Sequence, residues 1–296
     1  MRNECLNQIY ELAKKDPRVV FIGSDLRLGT LQQFKDEFPD RYFMEGICEQ
    51  NIIGMAAGLA MDGYIPYVNT IATFLTRRCY EQIALDICLH NLPVRLIANG
   101  GGLVYSPLGA THTAIEDISL MRHLPNMSVV CPSDAVEMKE LMPQTLDYPH
   151  PMYIRIGRGF VDPVISHGRF EIGRPEMLYG AINSTLLILT TGLTSAIGIE
   201  IARKLKGSSV HIAMVKPLDH KYIINNIAGK EMIITIEEHV INGGLGSAVI
   251  ECLANNNIQI PVKRFGIPDN FIKQYGTWDE LMNICGLTPE KIVAQL

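Results

Sequence analysis

The sequence lacks the features that mark several specialised classes of protein. No two of its seven cysteines have CxxC spacing, which argues against a disulfide framework and against a cysteine-based zinc site. No window approaches the roughly 18 apolar residues of a membrane span, and the amino-terminal residues have no signal-peptide pattern. The net charge is -5, and basic residues do not cluster beyond Arg77 and Arg78, which disfavours nucleic acid as a partner. These absences predict a cytoplasmic globular protein with no nucleic-acid or membrane partner.

The chain does contain a regular alternation of short apolar runs and helical patterns. The apolar runs, typical of parallel strands covered on both faces, lie at residues 19–23, 94–98, 127–131, 152–156, 185–190, 209–214, 231–236 and 260–265. The helical patterns lie at residues 48–61, 74–89, 135–145, 195–204 and 246–255. This alternation predicts an α/β fold with two domains, each a mostly parallel sheet covered by helices.

An irregular segment separates the two series of strands. Residues 157–181 contain Pro163, Pro175 and five glycines, a composition typical of a link between domains. We therefore predict one domain over residues 1–175 and a second over residues 180–296.

The most informative segment is RYFMEGICEQNIIGMAAGLAMDG, residues 41–63. It predicts a strand followed by a helix with Glu49 in its first turn. Glycine inside a helix costs about 1 kcal/mol relative to alanine, so Gly54 and Gly58 indicate that another backbone packs closely there. A carboxylate in so apolar a setting is expected to be partly desolvated, which favours its protonated form. From the residues alone, an exposed acid stabilised by the helix dipole is the alternative.

This segment resembles the one that carries the cofactor-activating glutamate in the transketolase and 1-deoxyxylulose-5-phosphate synthase family. Glu49 matches that glutamate. The resemblance implies that Glu49 hydrogen-bonds N1′ of the aminopyrimidine ring of thiamine diphosphate. It also implies that the resulting imino tautomer takes the proton from C2 of the thiazolium ring.

The next segment, YVNTIATFLTRRCYEQ, residues 67–82, is similar to the stretch of this family that lines the pyrimidine pocket. The resemblance implies that Phe74 stacks on the cofactor and that Arg77 and Tyr80 belong to the same pocket. An arginine at position 77 is typical of the synthase branch. Asp25, in FIGSDLRLG, resembles a further family element near the cofactor. For Phe74, an ordinary core aromatic is the alternative.

A glycine-rich loop follows the run at 94–98, in the position where α/β sheets bind ligands. Its GATH sequence resembles the GPTH element of the family, which implies that His112 faces the substrate oxygens and donates to a developing alkoxide. A surface histidine is the alternative. The family carries an aspartate where this chain has Leu108 and a histidine where it has Gly100. These departures predict a substrate pocket that is more apolar or differently shaped.

The segment YIRIGRG, residues 153–159, resembles the one that carries a phosphate-binding arginine in the family. Of its two arginines, Arg158 matches that residue better than Arg155 does. An arginine fork suits the geometry of a phosphate. This resemblance implies that Arg158 binds a substrate phosphate, and the alternative is a linker arginine paired with an acid.

The second half also resembles the family. KPLD, residues 216–219, and IEEHVINGGLGSAV, residues 236–249, look like the transketolase C-terminal domain. The glycines resemble a dinucleotide-binding turn, but Val249 stands at the third glycine position of that motif and Arg264 stands where it carries an acid. We therefore interpret these glycines as close packing of a strand against a helix.

One family motif is missing. The resemblance covers essentially the whole chain but only two of the three family domains, and the GDG-to-Asn motif that holds Mg2+ and the diphosphate is absent. This implies that a separate diphosphate-binding chain completes the site, in an α2β2 heterotetramer. The expected reaction moves a two-carbon ketol unit from a ketose, with or without a phosphate, to an aldehyde. The alternatives are the β-subunit of a 2-oxo-acid dehydrogenase or acetyl-transferring enzyme, and a non-catalytic subunit.

Overall fold

The computed structural model describes residues 1–24, 29, 31–157 and 170–296. The helices are α1 Arg2–Lys15, α2 Gln32–Glu37, α3 Glu49–Met61, α4 Tyr80–Gln82, α5 Asp117–His123, α6 Ala135–Thr145, α7 Thr194–Leu205, α8 His220–Asn226, α9 Leu245–Asn255, α10 Trp278–Ile284 and α11 Pro289–Val293. The strands are β1 Val19–Ser24, β2 Tyr42–Glu45, β3 Ile65–Ile71, β4 Arg95–Asn99, β5 Ser128–Val130, β6 Met152–Ile156, β7 Glu176–Tyr179, β8 Leu186–Thr190, β9 Ser208–His211, β10 Met214–Lys216, β11 Met232–Val240 and β12 Val262–Ile267. Over these ranges, no helix combines the length and apolarity that crossing a membrane would require.

The strands form two sheets, and both are mostly parallel. The first has seven strands in the order β10-β5-β6-β4-β3-β1-β2, and the second has five in the order β12-β11-β8-β9-β7. Among these described strands, only β10 in the first sheet and β7 in the second pair antiparallel to their neighbours. The predicted α/β fold with two helix-covered sheets is confirmed.

Both faces of the first sheet are covered, which explains why its strands are continuous apolar runs. All six residues of β1 and all five of β4 and of β6 are buried. On one face, α3 contributes Ile52 and Ile53 to the core. On the other, α1 and α6 contribute residues such as Ile9 and Leu141. A strand with apolar neighbours above and below has no solvated side, so no alternation of polar residues is expected.

Several predicted elements have different bounds in the structure. The strand predicted at 231–236 continues to Val240, because the polar residues at 237–239 are buried with hydrogen-bond partners. The strand predicted at 260–265 begins at Val262 instead, after Pro261, which has no N–H group to donate to a ladder. The helix predicted at 74–89 is largely π-helical, with wide turns at Phe74–Arg78 and Ile83–Cys88 on either side of α4.

One strand crosses between the two halves of the chain. β10 follows β9 of the second sheet in sequence, yet it pairs with β5 at the edge of the first sheet. The backbone N–H of Cys131 also donates to the carbonyl of Ala213 at 2.8 Å. The second half of the chain therefore completes the sheet of the first half.

A buried ion pair of the first half also contacts the second half. Arg155 of β6 donates to both carboxylate oxygens of Asp117, at 2.7 and 3.0 Å, and these side chains are 6% and 0% exposed. The same guanidinium reaches the carbonyl of Glu238 in β11 at 2.8 Å, and the Tyr153 hydroxyl donates to Asp117 at 2.8 Å. Each charge thus has several partners, which offsets the cost of burying it.

This arrangement predicts that Asp117→Ala destabilises the protein strongly, because it leaves the Arg155 charge buried without its counter-ion. We expect the free energy of unfolding to fall by about 3 to 5 kcal/mol, measured by urea titration. The control is Arg174→Ala, which removes an exposed pair with Glu171 at 3.5 Å and is expected to cost at most about 0.5 kcal/mol. Equal, small losses in both variants would contradict the assigned role of Asp117.

Candidate functional site

Glu49 lies at the amino terminus of α3 and is 0% exposed. Its Oε1 accepts a hydrogen bond of 3.0 Å from the hydroxyl of Ser24, at the end of β1. Its Oε2 accepts one of 2.5 Å from Nη1 of Arg78. The amino terminus of a helix also favours a negative charge. The alternative of an exposed acid is therefore wrong, and the carboxylate has a cation and a hydroxyl as partners within its apolar surroundings.

Arg78 connects Glu49 to the predicted aromatic residue. Its guanidinium carbon lies 4.4 Å from the centre of the Phe74 ring, a cation–π contact. The Phe74 ring in turn meets the His112 ring edge-on, with the two centres 5.2 Å apart. Phe74 is half-buried rather than a core residue. The structure therefore brings Glu49, Phe74 and His112 into one continuous group, with Arg78 at its centre.

The two consecutive arginines of the π-helical turn Phe74–Arg78 bind different acids. While Arg78 pairs with Glu49, Arg77 forms an ion pair with Glu116 and donates to the carbonyls of Ala110 and Thr113, at 3.3 and 2.9 Å. Arg77 thereby braces the loop that carries the histidine. π-Turns often occur at functional sites, and this one carries both arginines.

Tyr80 lies in α4 and packs half-buried against the core of the first domain. Burial raises the pKa of its hydroxyl. The structure gives Arg77 and Tyr80 contacts that hold the protein together, and their predicted part in a cofactor pocket stays a prediction.

His112 is held in a compact turn. Its Nδ1 lies 2.8 Å from the Thr111 hydroxyl, and its backbone N–H donates to the carbonyl of Gly109 at 3.0 Å. Among the described residues, its Nε2 has no hydrogen-bond partner. One nitrogen is therefore oriented by the protein while the other is available, which is the arrangement that a proton donor or acceptor requires.

A side chain of the protein itself occupies the glycine-rich turn of the second half. The carboxylate of Glu237 accepts hydrogen bonds from the backbone N–H groups of Leu245 and Gly246, at 2.7 and 2.9 Å, where α9 begins. A Cβ on Gly244 would lie 1.9 Å from Glu237, and one on Gly246 would lie 2.7 Å from Thr235 of β11. The prediction of close strand–helix packing is confirmed, and the helix terminus that could bind a phosphate already holds a carboxylate.

A second buried group resembles the triad of a hydrolase. The Ser195 hydroxyl lies 2.7 Å from Nδ1 of His211, whose Nε2 lies 3.0 Å from the carboxylate of Glu137. All three side chains are at most 1% exposed, and their polar atoms bond to one another. Glu137 lies in α6 and the other two in the second half, so this group stabilises the contact between the halves.

Two predicted residues, Asp25 and Arg158, lie outside the described residues. In the part of the chain that is described, no group of three metal-ligating His, Cys, Asp or Glu side chains occurs. Sequence reasoning missed Ser24 and Arg78 as partners of Glu49. The signal for Arg78 was present in the Arg77-Arg78 pair, but only the structure shows that Arg77 binds Glu116 and Arg78 binds Glu49.

Two family models match the chain, one for each half. The transketolase pyrimidine binding domain matches residues 1–162, and the transketolase C-terminal domain matches residues 180–292. The predicted division into residues 1–175 and 180–296 stays a prediction.

Individual relatives agree with these matches. The 1-deoxy-D-xylulose-5-phosphate synthase of Methylococcus capsulatus is 37% identical over 94% of this chain, which spans only 43% of that protein. The 6-deoxy-6-sulfo-D-fructose transketolase subunit SqwH of Clostridium sp. is 32% identical over 99% of this chain and 92% of its own length. A solved structure described as a split gene transketolase, inactive beta4 tetramer, is 34% identical with a TM-score of 0.86, covering 99% of this chain and 95% of its own.

The buried carboxylate at α9 predicts a dependence of stability on pH. Burial raises the pKa of Glu237 from 4.5 to about 7, so between these values the folded chain binds more protons than the unfolded one. The Glu237 contribution is therefore complete below about pH 4.5 and is lost as the pH rises through about 7. Burial lowers the pKa of neighbouring His239, which acts in the opposite direction.

The substitution Glu237→Gln removes the titrating carboxylate, so that its contribution to stability can be distinguished from that of His239. We expect the difference in unfolding free energy, wild type minus variant, to fall by about 2 kcal/mol between pH 5 and pH 7, measured by urea titration at each pH. A difference that stays constant across this range would show that Glu237 does not titrate there.

Proposed function

This chain belongs to the transketolase family, and from that premise we propose that it is one subunit of a split, thiamine-diphosphate-dependent transketolase. In this proposal it transfers a two-carbon ketol unit from a ketose, with or without a phosphate, to an aldehyde acceptor. The single observation that carries the proposal is the fully buried Glu49 carboxylate at the start of α3, in one group with Phe74 and His112.

The residues present fit the pyrimidine half of the cofactor. A carboxylate has about four lone-pair positions, and the bonds from Ser24 and Arg78 use two of them. The ionised Glu49 carboxylate can therefore accept one more hydrogen bond from a ring N–H, and in its protonated form it can donate one to a ring nitrogen. Half-buried Phe74 offers an aromatic face. When bound, thiamine diphosphate supplies a nucleophilic carbon that protein side chains lack.

Arg78 and His112 have distinct parts in this proposal. Arg78 holds the Glu49 carboxylate in a fixed orientation next to the Phe74 ring. His112, oriented at Nδ1 by Thr111, presents Nε2 to the substrate and donates to the oxygen that gains negative charge as a carbon–carbon bond forms. Arg158 remains the candidate for binding a substrate phosphate, and Asp25, Arg77 and Tyr80 remain candidates near the cofactor.

A partner chain is part of the proposal. The chain spans less than half of the synthase but nearly the full length of SqwH, which is named as a subunit. These lengths support a separate chain that binds Mg2+ and the diphosphate, in an α2β2 assembly. The cytoplasmic location and the sugar or sugar-phosphate substrates also remain proposals.

The split site predicts how the cofactor binds. We expect calorimetric titration of thiamine diphosphate and Mg2+ to give no measurable binding to this chain alone and tight binding to its complex with the diphosphate-binding chain. The reason is that Mg2+ anchors the diphosphate through oxygen ligands that we place on the partner. Tight, Mg2+-dependent binding to the isolated chain would overturn the split architecture.

The proposed chemistry is tested by Glu49→Gln in the complete complex. We expect ketol transfer to fall by at least about a hundredfold, the scale of a lost general acid–base contribution. The control is Asp62→Asn, the same change from carboxylate to amide at the exposed residue that ends α3, which is expected to keep its activity. Near-normal turnover by the Glu49 variant would refute the mechanism. Activity on a 2-oxo acid but on no ketose would favour the dehydrogenase-type alternative.

A further inference from the structure

A cleft lies where the last turn of α5 meets the second half of the chain. Its volume is about 390 Å3, which is within the range of small-molecule sites. From the first half, Arg122 and His123 of α5 line it, and from the second half Lys216 of β10 and His220 of α8 line it. The two halves of the chain therefore share a cleft to which both contribute basic side chains.

The ammonium group of Lys216 has no acidic partner among the described residues. Its Nζ donates to the carbonyl of Arg122 at 2.9 Å and to that of Leu124, at the end of α5. An ammonium group has three donors, so one N–H remains available. Burial lowers the pKa of this group, and the Arg122 charge nearby lowers it further. The fold thus holds two cations close together at this point.

Only part of the positive charge in the cleft is neutralised. Arg122 pairs with Glu251 and donates to the carbonyl of Gly243 at 3.2 Å. Glu251 is the only carboxylate among the described lining residues, and the nearby Asp219 caps α8. Two cations against one carboxylate leave one net positive charge. An anion that reaches both cations would form charge-assisted hydrogen bonds, which are about twice as strong as neutral ones.

The two histidines add ring nitrogens to this cleft. Nδ1 of His123 donates to the carbonyl of Ser119 at 2.5 Å, and its Nε2 has no hydrogen-bond partner in the described part of the chain. The ring of exposed His220 has none there either. A protonated imidazole donates to an anion, and a neutral one accepts from a P–O–H group. This suits a phosphomonoester, which exchanges its second proton near pH 6.

The cleft also has an apolar side. Val215, Leu218 and Ala248 line it together with the basic residues. Apolar walls with a few polar groups are typical of sites that bind small organic molecules. The cleft therefore fits a ligand with an anionic head and a hydrocarbon or aromatic body better than it fits a bare inorganic ion.

We propose that this cleft binds a small phosphomonoester. The phosphate lies between Arg122, Lys216 and the two histidines, and the body of the ligand packs against Val215 and Leu218. Because these cations come from both halves of the chain, the bound anion links the end of α5 to β10 and α8. The ligand binds only the folded arrangement of these elements, so it stabilises that arrangement by mass action.

The test is calorimetric titration of phenyl phosphate into the full chain. The chain carries Arg158→Ala throughout, because Arg158 is the other candidate for binding a phosphate. We expect phenyl phosphate to bind more tightly than inorganic phosphate, which lacks the apolar part, and phenol, which lacks the anion, to give no measurable binding. Failure of phenyl phosphate to bind would overturn the proposal. Equal affinity for inorganic phosphate would contradict the assigned contact with Val215 and Leu218.

Two variants test the assigned cations. Lys216→Met and His220→Glu are each expected to weaken binding of phenyl phosphate at least about tenfold, the scale of one lost hydrogen bond to a charged group. Lys216 also bonds to α5, so its variant can lose the fold, whereas glutamate is favourable in the first turn of a helix and the His220 variant keeps it. The control is His150→Glu, the same change at an exposed residue outside the cleft, which should bind normally. Unchanged binding in His220→Glu, or an equal loss in His150→Glu, would contradict the site.

NMR of the histidine rings locates the ligand directly. We expect phenyl phosphate to shift the ring signals of His123 and His220 and to leave that of His150 unchanged. Shifts confined to other histidines would overturn the assignment. The titration is repeated with the complex of this chain and the diphosphate-binding chain. Binding that disappears in the complex would also overturn the proposal, because it would show that the cleft faces the partner.

Discussion

The position of the loop that carries His112 depends on a set of buried charges between the two sheets. Arg155 pairs with Asp117 and reaches the carbonyls of Ala114 and Glu238. The Glu238 carboxylate accepts from the backbone of Leu103 at 2.6 Å and from Trp278 at 2.9 Å. Both ends of the His112 loop are therefore fastened to β11. Because a buried charge must keep its partners, these contacts fix the loop relative to β11.

The same requirement for partners determines the candidate site. Glu49 is fully buried, and it is held by Arg78 and Ser24 rather than by apolar contacts alone. Arg78 also lies over Phe74, which leans against His112. Residues from separate segments thus form one group in which each orients the next. Proximity of this kind is a large part of what a catalytic site provides.

Much of this could be predicted from the sequence. Glu49 stood out because its segment resembles that of a known family, whereas the residues alone left an exposed acid open, and continuous apolar runs predicted parallel strands. Arg78 could not be predicted, since its partner Glu49 lies 29 residues away in the sequence. The extension of β11 was missed because its polar residues find partners distant in sequence. Local sequence patterns predict the helices and strands, whereas contacts between residues distant in the sequence determine the candidate site.

The crossing strand β10 has a consequence for how the chain can be divided. If the first half were produced without the second, β5 would become an unpaired edge of its sheet. The backbone groups of Val129 and Val130, which pair with β10, would then be free to pair with other molecules. Exposed edges of this kind promote aggregation. The two halves therefore behave as a single module for expression and for domain exchange. Any chimera with another protein of this architecture should carry both halves together, with the junction placed outside them.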